Sequence, residues 1–363
     1  MSAERPIGVG VVGCGEITQV MHLPILHELD AFVPAGLCDL SPQTLSRLGA
    51  RWGVSATTTD HRELIASPDV EAVLVCTYDH AAVAAEAIAA RKHVLVEKPL
   101  AFTVDEARSL VVAAEAAGVV AQVGYMKLFD PALERARMRL QEMTGLRSIT
   151  CHNFAGSFAR HVPLYTQVRG DDVPASTLDG ARKDVAARIA EMLGPERTGY
   201  TSLYTLLLML GSHDLAVLRA LFGTPEHVSY ARPRGDGQLL AVLEYAGGVP
   251  CMLEIGVGAS YPWWDEWVAI HGDDECLRIE FPNPYVRYGS TLLRMREALD
   301  GGASDRLVAV SNEDPFRREW VEFAACVREG VQTRASFGGA LADLELARDI
   351  VTAMAPYSDR EAA

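Results

Sequence analysis

Residues 7–18 read IGVGVVGCGEIT, and this stretch decides the fold of the N-terminal part of the chain. Its first six residues are apolar or glycine, as in a fully buried β-strand. Gly13 and Gly15 follow directly as the first two glycines of a GxGxxG pattern, with Thr18 at the third position. Glycines at such a turn let backbone N–H groups approach a pyrophosphate where a helix begins. The stretch therefore predicts a dinucleotide-binding turn.

An acidic residue stands where this pattern requires one. Asp39 ends the next predicted strand, Phe32–Cys38, and comes 24 residues after Gly15. A carboxylate at this point accepts hydrogen bonds from the ribose hydroxyls and repels a 2′-phosphate. Residues 40–42 (Leu-Ser-Pro) contain no arginine that would neutralise such a phosphate. NAD is therefore the favoured cofactor, and NADP stays open because a neighbouring loop can supply a cation.

The first third of the chain alternates short apolar runs with helical patterns. Helices are predicted at Gln43–Trp52, Ala81–Ala90 and Val104–Ala117, and strands at Ile7–Val12, Phe32–Cys38, Ala72–Cys76, His93–Val96 and Val119–Val123. This alternation is typical of βαβ units and a parallel sheet. Because the crossovers are right-handed, the carboxyl ends of the strands share one edge, where a ligand binds.

After Gly124 the pattern changes to consecutive strands with turn signals between them. Strands are predicted at Arg147–Phe154, His227–Ala231, Leu239–Tyr245, Pro250–Val257, Glu266–His271 and Cys276–Phe281, and helices at Pro131–Glu142, Asp184–Leu193, Tyr204–Phe222, Pro315–Glu329 and Gly338–Ala355. The predicted class is α/β, with a doubly wound parallel Rossmann sheet in residues 1–124. Residues 125–363 form an α+β domain with a largely antiparallel open sheet, and the C-terminal helices in 315–355 pack back on the first domain.

Composition excludes several classes of protein. The 363 residues carry 33 basic and 48 acidic side chains, a formal net charge of −15, which disfavours a nucleic-acid binder. The longest apolar run, Leu203–Leu210, is short for a membrane span. The seven cysteines form no CxxC pair, and the histidines show no metal-ligand spacing, His22 and His27 being five residues apart. We expect a cytoplasmic protein that binds no metal and no membrane.

These motifs together resemble the Gfo/Idh/MocA oxidoreductases. The resemblance rests on the opening GVGVVGCGEIT, on the acidic end of the second strand, and above all on Glu97-Lys98-Pro99 after the strand His93–Val96. It continues through Gly124–Lys127 (GYMK) and Gly211–Asp214 (GSHD) to the final helices, where Phe316, Trp320, Phe323, Val327, Gly330, Ser336 and Asp343 match the usual pattern. It thus covers nearly the whole chain.

The resemblance implies hydride transfer between a nicotinamide and a carbon of a sugar, sugar-nucleotide or cyclitol. It implies that Lys98 is the catalytic lysine, that His213 is the acid/base histidine, and that the open sheet forms the interface of a homo-oligomer, a dimer or a tetramer. The residues expected to contact the cofactor are Gly13, Gly15, Glu16, Ile17, Asp39, Thr77, Tyr78, His80, Glu97, Lys98 and Lys127.

Two positions depart from the family pattern. Many inositol-dehydrogenase-like members have an aspartate four residues before the histidine, and here that residue is Met209. The loop after the fourth strand usually reads Thr-Pro with a histidine four residues beyond the proline; here it reads Thr77-Tyr78-Asp79-His80, with Ala82 at the histidine position. The Lys–Asp–His triad is incomplete, so the substrate of the inositol enzymes does not transfer directly.

Several residues keep two interpretations. Lys127 fits either a contact to cofactor or substrate or an ordinary ion pair, and Asp214 points about 100° away from His213 on a helix, which favours a structural role. The aromatic cluster Tyr261–Trp264 with Trp267 fits a sugar-binding face, a sheet core or an oligomer interface.

Three functions remain open at the level of sequence. The first is a dehydrogenase or reductase acting on a CH–OH group. The second is a hydrolase or epimerase-like enzyme that retains NAD and reoxidises it in each turnover. The third is a non-catalytic dinucleotide sensor, which the presence of both Lys98 and His213 disfavours because a sensor needs neither.

Overall fold

The computed structural model describes residues 5–156, 164–235, 237–258 and 263–357. The described chain folds into two compact units. Unit 1 comprises residues 5–125, 165–188 and 316–341. Unit 2 comprises the described parts of 126–164, 189–315 and 342–357.

The N-terminal part of unit 1 alternates strands and helices. The strands are β1 (Ile7–Val12), β2 (Phe32–Cys38), β3 (Thr57–Thr58), β4 (Ala72–Val75), β5 (His93–Val96) and β6 (Ala121–Val123). The helices are α1 (Leu23–Glu28), α2 (Pro42–Trp52), α3 (His61–Ala66), α4 (Ala81–Ala89) and α5 (Val104–Ala117), with a π-helical turn at Thr18–His22 before α1.

The six strands form one parallel sheet in the order β3-β2-β1-β4-β5-β6. The strand order reverses between β1 and β4, so a crevice opens at their carboxyl ends, the usual ligand site of such sheets. Strands β4 and β5 are fully apolar and buried except at His93, as expected for strands covered on both faces.

Side-chain caps fix where the helices next to this edge begin. The Ser41 hydroxyl accepts a hydrogen bond from Thr44 N at 3.0 Å and caps α2. Thr103 and Glu106 form a reciprocal capping box at the start of α5. Gly118, with φ of 67°, ends α5 in the left-handed conformation that favours glycine.

The remaining elements run from residue 126 to residue 352. Helices are α6 (Pro131–Glu142), α7 (Ala175–Leu193), α8 (Thr201–Leu206), α9 (Ser212–Phe222), α10 (Pro315–Glu329) and α11 (Phe337–Thr352). Strands are β7 (Ser148–Phe154), β8 (His227–Pro233), β9 (Gln238–Tyr245), β10 (Val249–Gly256), β11 (Asp265–His271), β12 (Glu275–Glu280), β13 (Leu292–Leu299) and β14 (Gly302–Ala309).

Unit 2 contains an eight-stranded sheet in the order β14-β13-β12-β11-β7-β10-β9-β8. Every neighbouring pair is antiparallel except β7 and β10. Burial alternates along the strands, so that Cys151 and Leu253 face the core while Thr150 and Met252 face outward. The two sheets confirm the predicted α/β class with a parallel first sheet and a largely antiparallel second one.

The structure contains α1, β3 and α3, which the sequence patterns did not predict, and it differs from the expectation at α7 and at the hairpin of β13 and β14. Helix α7 begins at Ala175, nine residues before the predicted Asp184. The sequence pattern did not predict these first turns because they are exposed all round and carry no apolar stripe. The hairpin of β13 and β14 was not predicted, since LLRMREAL consists largely of helix-forming residues. Pairing with β12 makes it a strand, with Leu293 and Met295 turned inward.

The apolar run before His213 lies within a longer helical stretch, Thr198–Phe222, in which a π-helical turn at Leu207–Gly211 joins α8 to α9. Among the described residues, this stretch is the one with the length and hydropathy to cross a membrane. Of its apolar window, 56% is buried inside the protein, as in a core helix.

An aromatic cluster anchors α10 in unit 1. Trp320 is fully buried, with its ring 5.0 Å from Phe32 and 5.7 Å from Phe323, both edge-on. Its indole Nε1 donates a hydrogen bond to His22 Nδ1 at 3.0 Å. A C-terminal helix thus supplies both apolar surface and one polar contact beneath the parallel sheet.

We predict that Trp320→Phe lowers the free energy of unfolding by about 1–3 kcal/mol, because the replacement leaves His22 Nδ1 buried without its donor. Denaturant unfolding followed by circular dichroism measures the change. The control is Trp263→Phe, at a residue that is 58% exposed, where we expect a change within about 0.5 kcal/mol. Equal stability of Trp320→Phe and the wild-type protein would contradict the prediction.

Candidate functional site

The glycine turn after β1 has the geometry of a phosphate-binding turn. Gly13 adopts φ of 93°, and a Cβ there would lie 2.5 Å from the Cys76 carbonyl oxygen. Gly15 has no atom within 4 Å of its would-be Cβ, so its backbone borders open space. Thr18, at the third glycine position, is buried and donates a hydrogen bond from Oγ1 to the Gly13 carbonyl at 2.6 Å. The threonine thus stabilises the turn.

Asp39 lies at the end of β2 with its carboxylate turned toward this turn. Its Oδ2 accepts a hydrogen bond from Cys14 N at 2.8 Å, and its Oδ1 accepts one from Ser41 N at 2.9 Å. Each carboxylate oxygen has a second lone pair for a ribose hydroxyl. The backbone contacts hold the carboxylate in the position that the dinucleotide fingerprint assigns to it.

A cavity of about 480 Å³ opens between the glycine turn and the end of β2. Six residues from the sequence-based set line it: Gly13, Gly15, Glu16, Asp39, Thr77 and Tyr78. The opposite wall comes from a segment that sequence patterns did not indicate, through residues 167–170, Val173 and Leu178. The glycine cradle, the fixed carboxylate and the cavity size fit a dinucleotide.

Four predicted cofactor contacts of unit 1 lie outside this lining: Ile17, His80, Glu97 and Lys98. Ile17 is half-buried at the start of the π-helical turn. His80 is 4% exposed, and its Nδ1 donates a hydrogen bond to the Pro99 carbonyl at 2.6 Å. Burial lowers the pKa of His80 despite this bond, which favours the neutral ring. His80 therefore holds the Lys98–Pro99 loop through this hydrogen bond to the Pro99 carbonyl.

Glu97 is a buried carboxylate with a full set of partners. Its Oε1 lies 3.0 Å from His22 Nε2, and its Oε2 accepts a hydrogen bond from Lys98 N at 3.0 Å. Because the Trp320 indole can only donate, His22 Nδ1 is the acceptor and Nε2 carries the proton that bonds Glu97. Burial raises the pKa of Glu97, but the His22 bond and the nearby charges outweigh it and lower the pKa overall.

Lys98 follows Glu97 at the carboxyl end of β5 and is half-buried. The peptide bond between Lys98 and Pro99 is cis. Gly124, after β6, is packed so closely that a Cβ there would lie 2.9 Å from Glu97 Oε1. The backbone that carries Lys98 is thus held by Glu97, His80 and the close approach of Gly124.

In unit 2, His213 lies in the first turn of α9, directly after the π-helical turn, and is half-buried. Met209, at the position of the absent aspartate, is 40% exposed. Asp214 is 1% exposed and accepts a hydrogen bond from Asn153 Nδ2 at 2.7 Å. Burial and the charge of Glu266 raise the pKa of Asp214 well above its usual range. Asp214 is therefore a buried group of the core of unit 2, bonded to Asn153.

The structure places Lys127 inside unit 2, where it forms a buried ion pair and does not line the dinucleotide cavity. Lys127 is 3% exposed and pairs with Glu266, and its ammonium lies 4.9 Å from the Phe281 ring centre. The other oxygen of Glu266 accepts a hydrogen bond from Trp264 Nε1 at 2.7 Å. Lys127 thus forms an ion pair, one of its two interpretations, because a buried ammonium requires a carboxylate close by.

The aromatic cluster falls partly outside the described residues, since Tyr261 and Pro262 are not among them. Trp267 lies on the open face of the sheet, stacked on His152 at 5.1 Å, with Arg278 over its ring at 4.1 Å. Within residues 5–156, 164–235, 237–258 and 263–357, no three His, Cys, Asp or Glu side chains are arranged to hold a metal ion.

Sequence reasoning missed the residues that hold Glu97. His22 was considered only as a metal ligand, and Trp320 only as part of the C-terminal pattern. The residue types did give a signal, because a histidine can bond a buried carboxylate and a tryptophan can bond the other nitrogen of that histidine. Their separation, 298 residues between His22 and Trp320, hides the pairing from any local pattern.

Comparison with known proteins agrees with both units. Residues 7–125 match the GFO_IDH_MocA oxidoreductase family, NAD-binding Rossmann fold, and residues 205–357 match its C-terminal alpha/beta domain. The chain is 35% identical to an inositol 2-dehydrogenase of Burkholderia cenocepacia over 257 residues, which is 70% of this chain and 68% of that protein. An inositol 2-dehydrogenase of Burkholderia multivorans is 26% identical over 365 residues, 93% of this chain and 96% of that protein.

Among solved structures, KijD10, a 3-ketoreductase from Actinomadura kijaniata in complex with NADP, superposes with a TM-score of 0.72. The match covers 94% of this chain and 96% of that chain at 20% identity, and it supports the fold. From the two family domains and the inositol-dehydrogenase relatives, we conclude that this chain belongs to the Gfo/Idh/MocA family of NAD(P)-dependent oxidoreductases.

Proposed function

We propose that the protein is a dehydrogenase or reductase that prefers NAD and acts on a CH–OH group of a sugar, sugar-nucleotide or cyclitol. The observation that carries the proposal is the Glu97–Lys98–Pro99 step at the carboxyl end of β5, in which Glu97 is buried and bonded to His22 and to Lys98 N. Strand β5 pairs with β4, and Thr77 and Tyr78, which follow β4, line the dinucleotide cavity. The relatives' names, inositol 2-dehydrogenase and 3-ketoreductase, support a cyclic polyol or its ketone as the substrate class.

The dinucleotide is held by the residues of the cavity. Backbone N–H groups after Gly13 and Gly15 bind the pyrophosphate, and Asp39 accepts hydrogen bonds from the ribose hydroxyls. Thr77 and Tyr78 line the same cavity nearer the end of β4. When bound, the nicotinamide accepts or donates the hydride.

Family membership supports one role for Lys98 and a different role for His213. The Lys98 ammonium donates a hydrogen bond to the substrate oxygen and stabilises the negative charge that develops on it as the C–H bond breaks. His213 takes the hydroxyl proton in oxidation and returns it in reduction. The Met209 thioether cannot accept the strong hydrogen bond that a carboxylate would give an imidazole, so His213 acts without that support.

We further propose that the protein is a cytoplasmic homo-oligomer, built through the open face of the unit 2 sheet. On this face Tyr230, Val242 and Met252 are paired across β8, β9 and β10, and Tyr230 and Met252 are 45% and 49% exposed. A second copy that covered this apolar row would remove it from water. All seven cysteines are free, as suits a reducing compartment.

Lys98→Ala is expected to lower kcat by roughly 10²–10⁴ while NAD affinity stays within a few-fold, because the removed group acts on the developing alkoxide. NADH formation across a panel of polyols and sugars provides the assay, and calorimetry provides the affinity. The control is Lys92→Ala, which removes a lysine just before the amino end of β5, where its ammonium bonds the Ser67 and Val70 carbonyls. A near-normal kcat for Lys98→Ala refutes the role.

The same assay separates the alternatives. Net release of NADH on adding substrate supports a dehydrogenase. Turnover without net NADH indicates an enzyme that reoxidises its bound NAD, and tight NAD binding with no turnover indicates a sensor.

We predict that the wild-type protein binds NAD more tightly than NADP, and that Asp39→Ala weakens NAD binding by at least about tenfold and narrows this difference. The reason is the loss of charged acceptors for the ribose hydroxyls, each worth about 1.5–3 kcal/mol. Calorimetry with both cofactors measures the two constants. Asp69→Ala, at an exposed aspartate of the same unit, should leave them unchanged. If the wild-type protein binds NADP as tightly as NAD or more tightly, the proposed preference for NAD is wrong.

The pH profile tests His213. If it is the base, the oxidative kcat/KM falls as the pH drops through the range of an ordinary imidazole, about 6.5. His213→Asn then flattens this limb and costs at least about tenfold, whereas His227→Asn, at an exposed histidine of β8, changes neither. A limb at higher pH that survives in His213→Asn assigns the proton transfer to Lys98. Full activity with an unchanged profile makes His213 a packing residue.

A further inference from the structure

The dinucleotide cavity is closed on one side by residues 165–188, which we call the strap. The Gln19 side chain forms a reciprocal pair of hydrogen bonds with the backbone of Val168, at 2.9 and 2.8 Å. Gly170 N donates to Thr44 Oγ1 at 3.0 Å. At the other end of the strap, Arg188 pairs with Asp79 and Glu106. The strap is therefore bonded near both of its ends to helices and loops of unit 1.

One strap residue, Asp172, binds the N-terminus of α2. Its Oδ1 accepts a hydrogen bond from Ser41 Oγ, and its Oδ2 accepts one from Gln43 N at 2.9 Å. The bonds from Ser41 and Gln43 lower the pKa of Asp172, aided by the nearby charge of Arg47. Asp172 is thus an ionised carboxylate that takes a hydroxyl and a helix N-terminal amide together.

These donors lie where an adenosine 2′-phosphate would have to bind. The dinucleotide fingerprint places the ribose 2′-hydroxyl at the Asp39 carboxylate. Ser41 N donates a hydrogen bond to Asp39 Oδ1, so Ser41 lies next to the position expected for that hydroxyl. A phosphate on that hydroxyl would seek the Ser41 hydroxyl, the Gln43 amide and the Arg47 guanidinium, since a helix N-terminus and an arginine are the usual partners of a phosphate. Asp172 already holds the first two.

The close approach of the strap to the start of α2 restricts which residue can occupy position 170. A Cβ on Gly170 would overlap Ser41 Oγ and would lie 2.5 Å from Asp172 Oδ1. The backbone at this point must therefore be glycine for Asp172 to reach α2.

We propose that Asp172 determines cofactor specificity by occupying, as a built-in anion, the subsite that the 2′-phosphate of NADP would take. The proposal rests on the preference for NAD argued above and adds a second cause to it. Asp39 selects the ribose hydroxyls, whereas Asp172 excludes the phosphate both by filling its donors and by like-charge repulsion.

The test is calorimetric and reads no turnover. NAD, NADP and adenosine 2′,5′-bisphosphate are titrated into the full-length wild-type protein and the variants Asp172→Asn and Asp172→Ala. We expect both variants to bind NADP and the bisphosphate about tenfold more tightly, with NAD within about twofold. Asp171→Asn removes the same charge one residue away, at an exposed side chain, and should change none of the three affinities.

Three results overturn the proposal. An unchanged affinity for NADP and the bisphosphate in both Asp172 variants means that the phosphate subsite lies elsewhere. A parallel loss of NAD and NADP binding means that Asp172 only fastens the strap. An equal gain in Asp171→Asn means that net charge, and not the contact at α2, decides.

The outcomes also separate this proposal from the proposed function. If Asp39→Ala narrows the NAD preference while the Asp172 variants do not, the preference stands and the role of Asp172 fails. Failure of the substrate or of the catalytic roles leaves these binding constants unaffected.

Discussion

The buried carboxylate of Glu97 is the constraint on which the catalytic edge of unit 1 depends. A carboxylate taken out of water is costly unless each oxygen finds a partner. Here His22 and Lys98 N supply one partner each, and the Trp320 indole fixes the tautomer of His22. Together these contacts hold the backbone that carries Lys98, the residue for which we propose the catalytic role.

The same physical rule explains the interior of unit 2. Lys127, Glu266 and Asp214 are buried together. Burial and the charge of Glu266 raise the pKa of Asp214, and the Lys127 ammonium partly offsets this rise. This arrangement engages Lys127 and Asp214 in contacts within the core of unit 2, whereas His213 of the GSHD motif is half-buried.

Around the dinucleotide cavity, anions are placed as recognition elements within a protein of net charge −15. Asp39 and Asp172 both bond to Ser41, one through its backbone amide and the other through its hydroxyl. A single serine at the start of α2 thus joins the ribose-binding carboxylate to the strap. Under our proposal, the preference for NAD arises from these filled donors as well as from the Asp39 carboxylate.

The sequence by itself determined the class of the fold, the glycine turn, Asp39 and the Glu97–Lys98–Pro99 step, because these depend on local periodicity and on residues adjacent along the chain. The tertiary structure alone decided the partners of Glu97, the buried pairing of Lys127 with Glu266, and the strap that brings Asp172 to Ser41, 131 residues away. It also decided that His80 is a buried support and that LLRMREAL is a strand. Each of these depends on groups far apart in sequence, whose meeting is fixed by burial and charge compensation and leaves no periodic trace in the chain.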